Sequence, residues 1–220
     1  MKAAVITFPG SNCDFDIYHA LENVGAEVDL LSADVTDLSA YDAIFLPGGF
    51  SYGDYLRSGA VAKFSPAMAA VKQEVAAGKI VVGICNGFQI LTEAGLLPGQ
   101  LMVNEQPDFI CDEVELTIED YDTPFTNAYA QGQSIKIPIA HGEGNYTIDD
   151  AGLAELEANQ QILFRYQGNV NGSDHRIAGI CNRAGNVLGM MPHPERATEA
   201  LTGNLDGRPF FESLLKQLTV

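Results

Sequence analysis

The sequence has no tryptophan, few basic side chains and no apolar stretch long enough to cross a membrane. Its 12 lysine and arginine residues stand against 29 aspartate and glutamate residues, which gives a formal net charge of -17. A charge of this sign repels nucleic acid phosphates and anionic membrane surfaces, so we expect neither as a partner. A helical membrane span would need about 20 consecutive apolar residues.

Cysteine is also scarce, and Cys13, Cys85, Cys111 and Cys181 are scattered without a C-x-x-C pair. This spacing is typical neither of a disulfide framework nor of a zinc site, so we expect no metal on this chain. The first apolar run is too short for a signal peptide. We therefore expect an unexported protein in the reducing cytoplasm.

The order of apolar runs predicts one α/β domain over residues 1–220. Short apolar runs predict buried strands, and patterns that end in glycine predict helices. The predicted strands are 3–8, 43–46, 80–84, 112–118, 134–139, 162–166, 177–181 and 187–191. The predicted helices are 14–24, 66–77, 87–94 and 209–218. We expect an open, mostly parallel, doubly wound sheet with flanking helices and an additional antiparallel or edge strand region near 112–118.

Cys85 lies in Gly83-Ile84-Cys85-Asn86-Gly87, directly after the third apolar run. Glycine two residues before and after a nucleophile indicates a strand-to-helix turn too tight for side chains at those positions. The N-terminus of the next helix would point its free N–H groups at the sulfur and favour the thiolate. The alternative is a small buried core residue.

Cys181 allows an internal comparison, because Gly-Ile-Cys-Asn at 179–182 repeats the residues around Cys85. At Cys181 the second glycine and the helical pattern are both missing. We therefore interpret Cys181 as structural and Cys85 as a nucleophile.

His193 is the candidate base for this thiol, with Glu195 two residues later. Each is followed or preceded by proline, which favours extended backbone and places positions i and i+2 on the same side. A carboxylate beside the imidazole would hold its tautomer, as in a Cys-His-acid triad. A polar turn that closes a strand is the alternative for this segment. His141 is a second candidate base, but it has no carboxylate at matching spacing.

Two glycine-containing loops follow predicted strands. The N–H of Asn86 and one from the turn Gly48-Gly49-Phe50 would form a two-donor oxyanion hole for acyl transfer. A phosphate cradle is less consistent with this loop, which has neither a G-x-G-x-x-G nor a Walker pattern. The loop at 11–13 follows the first strand at the edge where ligands of such sheets bind, or it is a turn near a helix cap.

The segments 8–14, 47–54, 83–89, 141–144 and 189–196 together resemble the class I, or triad, glutamine amidotransferases. Within that family they are similar to separate glutaminase subunits of purine biosynthesis. The resemblance implies that Cys85 attacks glutamine, that His193 and Glu195 complete the triad, and that Gly49, Phe50 and Gln89 border the oxyanion and glutamine site.

The resemblance also implies partners. Ammonia would pass to a large synthetase subunit, which uses ATP and Mg²⁺ to convert formylglycinamide ribonucleotide to formylglycinamidine ribonucleotide, with a small bridging subunit in the complex. No cofactor is expected on this chain. The competing hypotheses are a stand-alone cysteine hydrolase on the same fold, such as a γ-glutamyl hydrolase or a small-molecule hydrolase of the DJ-1 type, and a non-catalytic binding module.

Overall fold

The computed structural model describes residues 1–218 and has an α/β architecture built on a nine-stranded sheet. The strands are β1 (Lys2–Thr7), β2 (Glu27–Ser32), β3 (Ala43–Leu46), β4 (Ile80–Ile84), β5 (Gln100–Met102), β6 (Ile110–Ile118), β7 (Ser134–His141), β8 (Asn145–Thr147), β9 (Ile162–Tyr166), β10 (Ile177–Cys181) and β11 (Val187–Met190). The helices are α1 (Asp14–Asn23), α2 (Pro66–Ala76), α3 (Asn86–Glu93), α4 (Asp150–Ala158) and α5 (Arg208–Leu218).

The large sheet has the strand order β2-β1-β3-β4-β11-β10-β9-β6-β7. The first five of these strands run parallel, and every residue of β3, β4 and β11 is buried. Strands covered on both faces need continuous apolar runs, which is why these three were predictable from sequence. The loops that follow β1, β3, β4 and β11 therefore leave the sheet at one edge.

The other half of the sheet is antiparallel, through β10, β9, β6 and β7. This confirms the expected antiparallel region, although β6 pairs on both sides and β7 forms the edge. The backbone N–H of His193 donates to the carbonyl oxygen of Pro138 in β7 at 2.8 Å. The antiparallel half thus bends back toward the carboxyl ends of the parallel strands.

Four elements were not predicted: β2, β5, β8 and α4. In β2 the sequence EVDLLS mixes acidic and apolar residues, because this edge strand is only partly buried. The helix α4 buries only Leu156, so its apolar periodicity is weak. The feature of the sequence that indicates α4 is instead its N-cap residue, Asp149, whose side chain accepts a hydrogen bond from Gly152 N–H at 2.7 Å.

The C-terminal helix α5 begins one residue before the predicted position and buries Phe210, Phe211 and Leu214. Phe211 stacks on Phe45 of β3 with ring centroids 6.4 Å apart. This contact attaches the end of the described chain to the central strands. Among residues 1–218, no helix is both long and apolar enough to span a bilayer.

Candidate active site

Cys85 occupies the turn between β4 and α3 with φ 52° and ψ -107°. Non-glycine residues rarely adopt a positive φ, so this backbone is strained. A methyl group on Gly83 would lie 2.6 Å from the carbonyl of Gly87, and one on Gly87 would overlap the carbonyl of Leu46. Glycine is required at both positions, as the sequence pattern predicts.

The backbone and side chain of Cys85 are held between two strands. Its N–H donates to the carbonyl of Met190 at 2.8 Å, and its sulfur lies 3.7 Å from the carbonyl oxygen of Ala140. The side chain is buried but lines two neighbouring cavities. The thiol is therefore fixed in direction while remaining open to a small molecule.

His193 and Glu195 form a buried pair in which Nδ1 of the ring lies 2.6 Å from a carboxylate oxygen. The expected proximity is present, but its structural reason differs from the one predicted. Residues Pro194–Arg196 form a single 3₁₀ turn rather than extended chain. The carboxylate reaches the ring because the chain turns back after His193.

The pKa of His193 is raised well above its ordinary value. Burial disfavours the charged ring, but the negative charge of Glu195 and the sulfur atoms of Cys85 and Cys13 more than offset it. The other ring nitrogen, Nε2, is buried and makes no hydrogen bond within residues 1–218. This nitrogen is thus available to exchange a proton with a reacting group.

Two backbone N–H groups beside Cys85 are without an acceptor among the described residues and are candidates for an oxyanion hole. Neither the N–H of Asn86 nor that of Gly49 has an acceptor among the described residues. The N–H of Phe50 instead donates to Gly10 at 2.9 Å. Within the loop Gly48-Gly49-Phe50, the N–H of Gly49 is thus the candidate donor rather than that of Phe50, while the exposed ring of Phe50 borders the cavity.

The side chains of Asn86 and Gln89 connect the loops around the thiol. Asn86 accepts from Ser51 N–H at 3.2 Å and donates to the Gln89 oxygen at 2.9 Å. The Gln89 amide nitrogen donates to the carbonyl of Glu143 at 2.7 Å. Gln89 lines the cavity as expected, but its amide oxygen is used by Asn86 of the same helix and its amide nitrogen by the loop at Glu143.

A cavity of about 130 Å³ beside Cys85 carries two acidic side chains, Asp54 and Glu143. Burial, and then the charge of Glu143, raises the pKa of Asp54 to about 6, despite a hydrogen bond from Ser58 that acts in the opposite direction. Sequence reasoning missed Asp54 and Ser58. Their only signal was membership of the loop after β3.

His141, the last residue of β7, lines the same cavity. Its Nδ1 lies 3.1 Å from the Asn104 side-chain oxygen. Burial, and then the neighbouring charge of His193, lowers the pKa of His141 to about 4. His141 is therefore neutral near pH 7 and lacks the carboxylate partner that His193 has.

Cys13 is a second thiol at this site, and sequence reasoning missed its position beside His193. It precedes α1, and its side chain makes no helix-capping bond. The sulfur accepts from the guanidinium of Arg196 at 3.0 Å and lies next to His193. The ligand atoms of Cys13, His193 and Glu195 all lie within 4.8 Å of one another, a spacing that could hold a metal ion.

The chain is similar to known proteins over nearly its whole length. Residues 1–209 match the model of the CobB/CobQ-like glutamine amidotransferase domain. Phosphoribosylformylglycinamidine synthase subunit PurQ of Lacticaseibacillus paracasei is 62% identical over 218 residues, covering 99% of this chain and 96% of the relative. The protein of the same name from Lacticaseibacillus casei is 61% identical over the same shares.

Solved structures give the same picture. A chain in the structure of PurLQS from Thermotoga maritima is similar with a TM-score of 0.91 and 51% identity, covering 99% of this chain and 98% of that one. The glutaminase domain of Trypanosoma brucei CTPS, with a TM-score of 0.67 and 13% identity over 100% of this chain and 94% of that one, shares the fold.

Proposed function

The chain belongs to the CobB/CobQ-like glutamine amidotransferase family, and we propose that it is the glutaminase subunit of a phosphoribosylformylglycinamidine synthase. It hydrolyses L-glutamine to glutamate and ammonia. The ammonia is delivered to a synthetase subunit that converts formylglycinamide ribonucleotide to formylglycinamidine ribonucleotide in purine biosynthesis. The observation that carries the proposal is the assembly of Cys85, His193 and Glu195 in a chain similar to such subunits over nearly its full length.

In the first step, the thiolate of Cys85 attacks the side-chain amide carbon of glutamine. The N–H groups of Asn86 and Gly49 receive the negative charge on the amide oxygen. His193, charged because of its raised pKa, gives its Nε2 proton to the departing nitrogen, so that ammonia leaves and a thioester remains on Cys85.

In the second step, neutral His193 accepts a proton from water as the water oxygen attacks the thioester carbon. The C–S bond then breaks, glutamate leaves and the thiolate of Cys85 returns with the charged imidazole. Glu195 stabilises that imidazolium in both steps through its contact with Nδ1. Its burial keeps water from weakening the pair.

The acidic side chains of the cavity also suit the end of glutamine that carries the α-ammonium group. Asp54 and Glu143 lie together in the cavity beside Cys85, where their carboxylates can bind the α-ammonium group of glutamine. The cavity holds no lysine or arginine among its lining residues. We therefore assign these two acids to substrate recognition.

The remaining reagents belong to partners. The large synthetase subunit uses ATP and Mg²⁺, and a small subunit bridges the complex, while this chain contributes the ammonia. A cytoplasmic location fits this role and is supported by the four free thiols in the structure.

The test is a paired synthesis assay in the assembled complex. Cys85→Ala should abolish synthesis from glutamine and spare synthesis from an ammonium salt, because only ammonia release needs the thiol. Cys181→Ala, a buried cysteine on β10, is the matched control and should leave both activities intact. Loss of both activities in Cys85→Ala would contradict the proposal that this chain releases the ammonia and the synthetase subunit uses it.

A stand-alone hydrolase would behave differently in a second measurement. Ammonia release from glutamine should rise when the synthetase and the small subunit are added. Strong activity on γ-glutamyl peptides without any effect of the partners would instead favour the hydrolase. Alkylation by a reactive glutamine analogue at a residue other than Cys85 would favour a binding module.

A further inference from the structure

The ring of His193 is held by one directed hydrogen bond. Its Nδ1 lies 2.6 Å from a carboxylate oxygen of Glu195, whereas Nε2 makes no hydrogen bond among residues 1–218. A cavity of about 180 Å³ borders the ring, so the space beside it is not filled by side chains. One hydrogen bond fixes the distance to Glu195 but leaves the ring free to tilt. Both steps proposed above need Nε2 to face the reacting atoms, so a second contact must limit that tilt.

Cys13 provides a second contact with this ring. Its sulfur lies within 4.8 Å of a ring nitrogen of His193. A methyl group on Gly48 would lie 2.8 Å from Cε1 of His193 and 3.1 Å from the sulfur of Cys13, so both atoms adjoin the same point of the loop after β3. Cε1 is the ring atom between the two nitrogens. The sulfur therefore packs on the Cε1 side of the ring and limits its movement there.

The sulfur of Cys13 is itself held in place. The guanidinium of Arg196 donates to it at 3.0 Å, and the thiol donates to the side-chain oxygen of Asn12 at 3.1 Å. The backbone N–H of Cys13 donates to the carbonyl of Gly48 at 3.3 Å. Arg196 also pairs with Asp16 of α1 at 3.2 Å. The position of the sulfur is thus fixed by the loop after β1, the loop after β3 and the turn that carries Arg196.

The protonation state of Cys13 suits this contact. Burial raises the pKa of the Cys13 thiol, although His193 and Arg196 act in the opposite direction. The side chain is therefore a neutral thiol near pH 7. A neutral sulfur is a weak hydrogen-bond acceptor, so it packs against the charged ring without taking the Nε2 proton. A carboxylate at this position would compete with the departing nitrogen for that proton.

We propose that Cys13 is a positioning residue for the glutaminase reaction, and that its sulfur, held by Arg196, keeps Nε2 of His193 directed at the nitrogen that leaves glutamine. This role rests on the proposed function, in which His193 protonates that nitrogen. Cys13 does not line the cavity assigned to glutamine, so it acts only through the ring. The loop after β1 and the turn at His193 meet only in the folded chain, which is why the sequence alone hides this contact.

The first measurement is steady-state synthesis from glutamine in the assembled complex. Cys13→Ala removes the sulfur, so kcat should fall about 10- to 100-fold, the range expected when a reacting group is misplaced by up to about 1 Å. The KM for glutamine and synthesis from an ammonium salt should stay unchanged, because neither depends on the direction of Nε2. The control is Cys181→Ala, at a buried cysteine on β10, which should keep the kcat of the unaltered protein.

The second measurement uses the full chain alone and reports on the ring directly. Iodoacetamide, a neutral alkylating reagent, reacts with the thiolate of Cys85, and the charged ring of His193 favours that thiolate. Loss of the Cys13 contact should weaken this pair, so alkylation should need a pH higher by about 0.5 to 1 unit, which corresponds to one lost hydrogen bond. Peptide mapping identifies the adduct. The titratable or charged side chains around the ring are Cys13, Cys85, His141, Glu195 and Arg196.

Cys13→Ser separates positioning from packing. Its hydroxyl still accepts from Arg196, so this variant should recover part of the lost kcat and part of the alkylation profile. Circular dichroism shows whether each variant is folded, and an intermediate profile in Cys13→Ser decides the matter if Cys13→Ala does not fold. A purely structural role would lower the free energy of unfolding and leave the pH of alkylation unchanged.

Arg196→Lys tests the part played by Arg196. Lysine keeps the charge but lacks the planar fork that reaches both Asp16 and the sulfur. This variant should therefore raise the pH needed for alkylation, and should add nothing to the effect of Cys13→Ala when the two are combined. Additive effects would show that Arg196 acts on the ring without Cys13.

Two results would overturn the proposal. One is a kcat of Cys13→Ala equal to that of Cys181→Ala, and the other is an alkylation profile that these two variants share. Alkylation needs neither glutamine nor the synthetase, so its outcome is distinct from failure of the proposed function.

Discussion

The proton transfers proposed for this molecule all depend on one buried ring, that of His193. Glu195 lies on one nitrogen, while Cys85 and Cys13 influence the other side of the ring. An imidazole in such surroundings stays charged at neutral pH, which is the state needed to protonate departing ammonia.

Replacing Glu195 by glutamine tests this electrostatic role. Glu195→Gln removes the charge that raises the pKa of His193, so the pKa should fall and glutamine hydrolysis should slow by roughly 10³- to 10⁴-fold, as in other triads that lose their acid. The measurement is the pH–rate profile of the complex with glutamine. The control is Glu199→Gln, at an exposed carboxylate that accepts a hydrogen bond from Asn23. It should change neither the pKa of His193 nor the rate of glutamine hydrolysis.

Asp54 predicts a pH dependence of substrate binding. Its pKa is raised to about 6, so it gains a proton and loses its negative charge as pH falls through that value. The KM for glutamine should therefore rise below about pH 6. Above that pH, Asp54→Asn should raise the KM for glutamine by about 10- to 100-fold, which corresponds to the loss of one hydrogen bond to a charged group. The KM of this variant should also depend less on pH.

A steady-state series from pH 5 to 8 checks this, with Asp112→Asn as an exposed carboxylate control. An unchanged KM in Asp54→Asn across that series would remove Asp54 from substrate recognition.

The residues predicted from sequence were those with a local pattern. Cys85 has flanking glycines, and His193 and Glu195 lie two positions apart with Pro194 between them. Cys13 and Asp54 have no such pattern, because their surroundings are created by chain segments far away in sequence. Burial and neighbouring charge could not be predicted before the fold was known.

At the level of the element, the β4–α3 turn depends on the absence of two side chains. Gly87→Ala would force its methyl group into the carbonyl of Leu46 in β3. The strand and helix must then separate, so we expect a loss of unfolding free energy of about 1–3 kcal/mol, together with loss of glutaminase activity. Denaturant unfolding and ammonia release are the two measurements.

Gly168→Ala is the matched control for this substitution. No atom lies within 4 Å of a methyl group at that exposed glycine. Its stability should change by no more than about 0.5 kcal/mol. A Gly87→Ala protein as stable and active as this control would contradict the steric account of the turn.

The predicted strands match the structure where the strands are fully buried, whereas short or partly buried elements were missed. The central strands β3 and β4 have continuous apolar sequences, so their bounds were predicted without error. The short strands β5 and β8 pair only with each other, with three residues each. Such brief pairing leaves little periodicity for a sequence pattern to show.

For the whole molecule, the opening of the site must face the synthetase if ammonia is to avoid bulk water. Phe50 and Phe109, with ring centroids 6.4 Å apart, border that opening, and both are exposed. Tyr55 and Leu56, in the same loop as Phe50, are 77% and 93% exposed. Exposed apolar side chains this close together are typical of an interaction surface.

Leu56→Asp should therefore weaken binding to the synthetase at least about tenfold, or about 1.4 kcal/mol, because a buried charge replaces an apolar contact. Calorimetry or a pull-down with the purified partners measures it. The control is Thr117→Asp, which adds the same charge at an exposed position near the C-terminal end of β6. It should leave the affinity for the synthetase unchanged. Equal affinities of the two variants would place the interface elsewhere.

The pairing of β4 with β11 also sets the order of events during protein synthesis. Val81 to Ile84 meet partners at Val187 to Met190, more than a hundred residues later in the chain. A ribosome therefore exposes the thiol of Cys85 long before it has made His193. The growing chain therefore cannot hydrolyse glutamine until the segment that carries β11 and His193 has been made and has paired with β4.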